Sequence, residues 1–438
     1  MQLQHQPRQH PQRVLLHNEI HARPPEPLSA PLAISHLVML CDAAEREASR
    51  THVQGLLRDH HLPQPDATCT HLRMDVGRFR IRWELHTEFV SWTFLHAARL
   101  DRFGERDPES AVDVVPQDWL AALPGQCLAS LHLWVVPETG TDAETLLGHV
   151  LHEDTLVASC VADGFGKLYT DFAIQADGFS RMVLLAGAMS PRRLGRLVQR
   201  LLEIETYRMA ALLGLPAARE VSSVLASAER ELAELAQAIR TATRDGEPLL
   251  LERLTKLAGD VESQHASTHS RLSASAAYFD LVDKRIRDIA ESRLPGMQTI
   301  RDFMDRRLTP ARSTCEWAAR RQDALSQRVS RISNLLRTRV EIEQEQSSQA
   351  LLKTMNQRQD LQLKLQSAVE GLSVAAITYY IVGLLSYLAK AAQTVGWPFS
   401  PEVSAAVAVP VVAALVWVML RRLHHSLRRG AGVQPDSG

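Results

Sequence analysis

The residues best suited to chemistry stand near the N-terminus, in LHNEIHARPPEPL (residues 16–28). His17, Glu19 and His21 alternate, and Arg23 continues the series. On an extended segment alternate side chains project to one side, so two imidazoles, a carboxylate and a guanidinium would face together. Imidazole and carboxylate in one set suit zinc or a similar divalent ion. On a helix His17 and His21 would still share a face while Glu19 turned away. Pro24, Pro25 and Pro27 hold the chain extended after Arg23. A structural reading competes: the histidines and arginine bond backbone carbonyls and tie the segment onto a domain. The chain holds 18 histidines, so chance alone can produce one His-x-Glu-x-His, and the structural reading is the stronger expectation. These four residues are candidates for a ligand or metal site. No catalytic residue is assigned, the metal is unspecified and no cofactor is indicated.

Other local sets are weaker. Asp163-Gly164-Phe165-Gly166-Lys167 lacks the GxxxxGK[ST] pattern of a phosphate loop and has strand-like flanks, so it reads as a turn. His424-His425 lies in a basic tail whose arginines fix topology and meet anionic lipid. There is no GxSxG, HExxH, CxxC or dinucleotide fingerprint.

The elements that must position the N-terminal set follow directly. LAISHLVMLC (32–41) reads as a strand, and DAAEREASRTHVQGLLRDHH after it has helical spacing with Asp42 as N-cap. Phe79, Ile81, Trp83 and Leu85 alternate, as do Phe89, Trp92 and Phe94 in looser form, with turns at Gly77 and His86-Thr87. Further strands are expected at 128–136, 155–162, 166–175 and 179–187, the last two joined at Asp177-Gly178. Residues 1–12 are polar and read as a disordered tail; 13–190 read as an α+β domain on a largely antiparallel sheet. Ser190 as N-cap and Pro191 at the first position start a helical region over 191–369. Leu225, Ala228, Leu232 and Leu235 keep 3-4 spacing, as do Leu250, Leu254, Leu257 and Val261, with breaks at Asp245-Gly246 and Leu294-Pro295-Gly296. Such stripes predict bundle or coiled-coil packing, within the chain or between copies.

Two stretches carry no charge, 371–389 and 403–420. At about 1.5 Å per residue each reaches roughly 27–29 Å, near the hydrocarbon thickness of a bilayer. Arg421 and Arg422 follow the second stretch, lysines and arginines precede the first, and the loop between holds Trp397, an interfacial anchor. The expected product is a transmembrane hairpin over 370–420, multi-pass, with both termini cytoplasmic and 421–438 a basic cytoplasmic tail. Neither span carries an ionisable residue, so no proton or substrate path is marked there. Gly383, Ser386 and the alanines of the second span permit close helix packing.

Basic and acidic residues number 49 and 50, a balance that argues against nucleic acid as a partner. The five scattered cysteines fit a reducing cytosol rather than a disulfide framework. LHNEIHARPPEPL, together with MNQRQDLQLKLQSAVEGLSVAAITYYIVGLLSYLAK (355–390), resembles the bacterial DUF3422 family of membrane-anchored proteins. The resemblance covers nearly the whole chain and supports the domain order; it supplies no catalytic residues, and the inner-membrane placement rests on the hairpin and its flanking charges. A looser resemblance, in element order only, is to CorA-like divalent-cation channels, but SYLAKAAQ stands where those carry Gly-Met-Asn. The leading expectation is a non-enzymatic, self-associating binding, sensing or scaffold protein partnered by the lipid bilayer and by its own copies. The alternatives are a CorA-like channel or transporter, and a metal-dependent enzyme using His17, Glu19, His21 and Arg23.

Overall fold

The computed structural model describes residues 9–14, 16–17, 24–98, 108–139, 143–242, 246–393 and 400–430. The elements in order are β1 (Leu32–Leu40), α1 (Ala43–Asp59), β2 (His71–Asp75), β3 (Arg80–Leu85), β4 (Phe89–Ala97), α2 (Gln117–Ala121), β5 (Gln126–Pro137), α3 (Ala143–Val150), β6 (Val157–Val161), β7 (Gly166–Thr170), β8 (Ser180–Ala186), α4 (Pro191–Leu212), α5 (Gly214–Thr241), α6 (Glu247–Asp288), β9 (Ser292–Arg293), α7 (Ile300–Gln393) and α8 (Pro401–Gly430). Two compact units result, Met1–Asn334 and Leu335–Gly438, and α7 contributes to both.

In the first unit the strands form one sheet in the order β2-β3-β4-β1-β5-β8-β7-β6-β9, antiparallel except for the β5–β8 pair. The α+β class and the largely antiparallel sheet expected from the alternation are present. Asp42 caps α1 in a full capping box with Glu45. Its carboxylate accepts from the Glu45 N–H at 2.8 Å. Gly77 and Gly178 adopt positive φ in the hairpin turns assigned to them. The turn expected over Asp163–Lys167 falls at residues 162–165, with Ala162, Asp163 and Gly164 at positive φ, while Gly166 and Lys167 already belong to β7. Ser190 precedes α4 as expected, but its side chain makes no capping bond. Pro191 at the first position starts the helix instead, and the Ser190 carbonyl accepts from Leu194 N–H at 3.0 Å.

Strand side chains alternate between two faces. One face is apolar: Ala33, Leu37 and Met39 of β1 join Ile81, Trp83, Val90, Trp92 and Phe94, and Val53 and Leu56 of α1 with Leu146 and Val150 of α3 cover them. Trp83, Trp92, Trp119 and Trp134 meet here. The rings of Trp92 and Trp119 stand edge to face at 5.5 Å, an arrangement favoured by the ring quadrupoles. The other face lies under α4 and α6. Leu194, Leu197, Val198, Leu201 and Leu202 of α4 are buried, but so are Glu205 and Thr206, because this sheet face carries polar side chains.

The composition change at Ser190-Pro191 falls inside this unit. After α6 the chain returns to the sheet as β9, which pairs with β6, and Ser159 Oγ donates to Glu291 at 2.9 Å. Glu291 in turn accepts from the Ile300 and Arg301 N–H groups and so caps α7. The start of α7 packs along α5 and α6. Arg321 forks onto the Glu229 carboxylate. Arg312 reaches Asp283 at 2.7 Å, and Gln322 donates to Thr268 at 2.9 Å. The leucine stripes of α5 and α6 are buried as their spacing requires.

Among the described residues two helical stretches are long and apolar enough to cross a bilayer, Pro191–Thr241 and Ile300–Ala392. The first is α4 and α5, whose apolar side chains are committed to the sheet and to α6. In the second, only 6% of the apolar window is buried within the chain. Its uncharged part, 371–389, has the composition of a lipid-facing helix. The apolar stretch Ala405–Met419 in α8 is shorter.

Candidate functional site

A cavity of about 250 Å³ lies between the polar face of the sheet and α4. Its walls include His36, Arg82, Glu84, His86, Ser91, Glu203, Thr206 and Tyr207. Cross-strand register assembles the sheet wall: Arg82 pairs with Thr93 and Thr93 with His36, while Glu84 pairs with Ser91. All therefore point to the face opposite the tryptophan core. From above, α4 lowers Gln199, Glu203 and Thr206, spaced four and three apart on one helical face, with Tyr207 four beyond Glu203.

His36 is buried and bonded at both nitrogens, Nδ1 to Thr93 Oγ1 at 2.8 Å and Nε2 to Thr206 Oγ1 at 3.0 Å. The Thr206 hydroxyl gives its proton to the Leu202 carbonyl at 2.9 Å, so toward His36 it accepts. That assigns an Nε2–H tautomer, with Nδ1 accepting from the Thr93 hydroxyl. Burial, reinforced by the Arg82 guanidinium, pushes the His36 pKa down to about 3, and the ring stays neutral. Arg82 Nη2 donates to Glu84 Oε2 at 2.7 Å, and both side chains are largely buried. Ser91 Oγ approaches the same carboxylate oxygen at 3.5 Å. On the helix side Gln199 donates to Glu203 at 3.0 Å, and Arg285 of α6 ion-pairs with Glu203. Tyr207 stacks on Tyr278 at 5.9 Å. The Tyr278 hydroxyl donates to Glu88 at 3.0 Å. Burial beside that carboxylate raises its pKa. Each wall thus presents a carboxylate already paired with an arginine.

The described end of the N-terminal motif reaches the same neighbourhood. Residues 24–28 are non-helical, as the prolines require, and lie against the sheet and α4. Arg73 donates to the Pro24 carbonyl, Arg80 ion-pairs with Glu26, and the Leu28 N–H donates to the Pro191 carbonyl at 3.0 Å. Glu26, Leu28 and Gly195 share a cavity of about 20 Å³ with Arg82. His17 is exposed; Glu19, His21 and Arg23 lie outside the described residues. Among the described residues no group of three or more His, Cys, Asp or Glu could hold a metal ion. Of the residues expected at a membrane interface, Arg421 and Arg422 are exposed on α8, and Trp397 lies outside the described residues.

Gly195 is required for this docking. A Cβ there would collide with the Glu26 carbonyl oxygen, and backbone cannot yield as a side-chain tip can. Gly195→Ala is expected to cost about 1–3 kcal/mol, the usual scale of overpacking, and to speed hydrogen exchange at the Leu28 amide. Unchanged exchange there would show that the segment is not clamped by α4.

Sequence reasoning passed over His36, Arg82, Glu84, Glu203 and Thr206. The signal was present: Arg80, Arg82 and Glu84 fill the off positions of the very alternation that located β3, and Glu203, Glu205 and Thr206 interrupt a leucine-rich helix. Glu205 is itself buried, held by Arg208 at 2.6 Å and by the Ser180 hydroxyl at 3.2 Å. The family model described as "Protein of unknown function (DUF3422)" matches residues 8–427. No curated protein and no solved structure matches the chain. The match takes in the N-terminal motif, the sheet, the cavity and both apolar stretches, and the chain belongs to the DUF3422 family.

Proposed function

We propose that the protein is a membrane-anchored binding protein whose sheet unit holds a small zwitterionic molecule of the amino-acid class in the cavity beneath α4. The observation that carries this reading is the cavity itself: a polar space walled by Glu84 and Arg82 on the sheet and by Glu203 on the helix. Its volume of about 250 Å³ equals the liquid volume of roughly eight waters, enough to admit a free amino acid with water left beside a small one. A ligand ammonium would sit between the carboxylates of Glu84 and Glu203. A ligand carboxylate would take Ser91 O–H and the Arg82 guanidinium, whose buried Nε–H has no partner among the described residues. The anchor is the hairpin of 371–389 and 403–420, with Trp397, Arg421 and Arg422 at the interfaces and both termini on the cytoplasmic side of a bacterial inner membrane. The arginine-rich flanks and the uncharged spans support that topology. Self-association through the helices belongs to the same reading.

The test is thermal unfolding of the full-length protein in detergent micelles, with free amino acids, dicarboxylates and diamines added singly. A ligand at a hundredfold excess over its Kd stabilises by about 2.7 kcal/mol. At least one amino acid is expected to raise Tm while dicarboxylates and diamines do not. A flat response to every amino acid contradicts the ligand class.

A further inference from the structure

Over residues 351–369 of the second unit α7 is exposed on every side, and one of its faces carries an apolar heptad pattern. Leu351, Arg358, Leu365 and Leu372 recur at heptad spacing, with Thr354, Leu361 and Ala368 at the intermediate positions of the same heptad. Leu351, Leu361, Leu365 and Leu372 are 67%, 60%, 61% and 74% exposed. The spacing continues without a break through Ala375, Tyr379, Val382 and Ser386. Those four residues, with Thr378 and Gly383, form one wall of an open groove of about 780 Å³ that also touches Val409 of α8. The stalk seam runs on into the groove, whose lining Tyr380, Leu384 and Tyr387 extend beyond the seam.

Thr378 supplies a second observation. It is buried, yet among the described residues its Oγ1 has no hydrogen-bond partner. The neighbouring hydroxyls are satisfied within the helix, Ser373 by Val369 and Ser386 by Val382, each at 2.9 Å. A hydroxyl left unpaired in apolar surroundings is costly, and a helix seated in the groove could bring it an acceptor.

The seam also identifies its occupant. Positions flanking it over 350–369 are Ala350, Met355, Gln357, Gln362, Lys364 and Val369, so a differently charged partner would find almost nothing to read. A parallel identical helix would place Lys364 against Val369 and bring no like charges together there; the one such meeting is Arg358 with its own copy. Resting on the membrane-anchored reading, copies inserted in one membrane are necessarily parallel and at the same depth. The face is about 54 Å long and, at a helix width of roughly 10–12 Å, offers on the order of 600 Å² per chain. A stable interface takes about 800 Å² per partner, and confinement to one membrane raises the effective concentration to cover the difference. We infer that a second copy of this chain packs parallel and in register along this face of α7, over residues 351–386.

The test is oxidative crosslinking of the full chain in native membrane vesicles that have survived alkaline extraction. The unsubstituted protein, with its own cysteines, sets the background. Leu361→Cys and Leu365→Cys are expected to give covalent dimer severalfold above that background. Leu363→Cys, on the opposite face, is not. Adding Arg358→Leu to Leu361→Cys removes the one like-charge meeting and is expected to raise the dimer yield. Gly383→Leu is expected to lower it, although a Cβ at Gly383 meets nothing within 4 Å in one chain. Equal dimer at both faces, or none at any position, overturns the inference. Loss of the protein at the extraction step would instead defeat the membrane reading.

Discussion

Arg82→Met is expected to destabilise the sheet unit by about 3–5 kcal/mol, the cost of leaving a buried carboxylate without its partner. Glu84 is almost fully buried, and Arg82, at 2.7 Å, is the cation that compensates it. The loss is therefore dominated by Glu84's desolvation and not by the net worth of the pair. Arg82→Met combined with Glu84→Leu removes both charges and fills similar volume, and such replacements are often near neutral. Urea unfolding followed by tryptophan fluorescence reads the result, because Trp83, Trp92, Trp119 and Trp134 share the core on the other side of the same strands. A single variant as stable as the double variant would mean that Glu84 is solvated or paired elsewhere.

Mild acid is expected to destabilise the unit on a similar scale. His36 and His132 are both buried, and burial lowers their pKa values from 6.5 to about 3 and about 4. The unfolded chain protonates both rings below about pH 6.5, whereas the folded chain does not until pH 3–4. Stability is then fully present above pH 6.5 and is lost as pH falls through that window. At about 1.4 kcal/mol per pH unit, each ring removes about 2 kcal/mol at pH 5, or on the order of 4 kcal/mol together. His36→Gln keeps polar atoms near Thr93 and Thr206 but cannot titrate, and its loss between pH 7.5 and pH 5 should be about half that of the natural chain. An undiminished loss in that variant would show that His36 does not carry the effect.

How much of this was legible in the sequence depended on whether the signal was local. Capping at Asp42, the hairpin at Gly77 and the α4 start at Pro191 need only neighbours a few positions apart, and each is where the residues place it. Two features depended on distant chain. The two-residue strand β9 exists because Ser292 and Arg293 meet the β6 edge, far earlier in the chain, and nothing in the residues themselves is strand-forming enough to announce it. The cavity is built from β1, β3, β4 and α4. Alternation in β3 marks Ile81 and Trp83 on one face and leaves the opposite positions, Arg82 and Glu84, on the other. Glu84 is buried and Arg82 largely so because α4 covers that face, a fact of tertiary packing that period-two patterning does not carry. The His-x-Glu-x-His motif drew notice for the opposite reason. It is compact in sequence, while the described residues that do assemble a polar site are scattered along the chain from His36 to Tyr207.

The ligand cavity is the central claim, and calorimetric titration of the full-length protein in micelles tests it most directly. The amino acid that raises Tm is titrated into the natural chain and into the Arg82→Met, Glu84→Leu double variant. Saturable binding at about one molecule per chain, lost in the folded double variant, is the predicted result. Equal binding to both proteins would place the ligand elsewhere and contradict the assignment of this cavity.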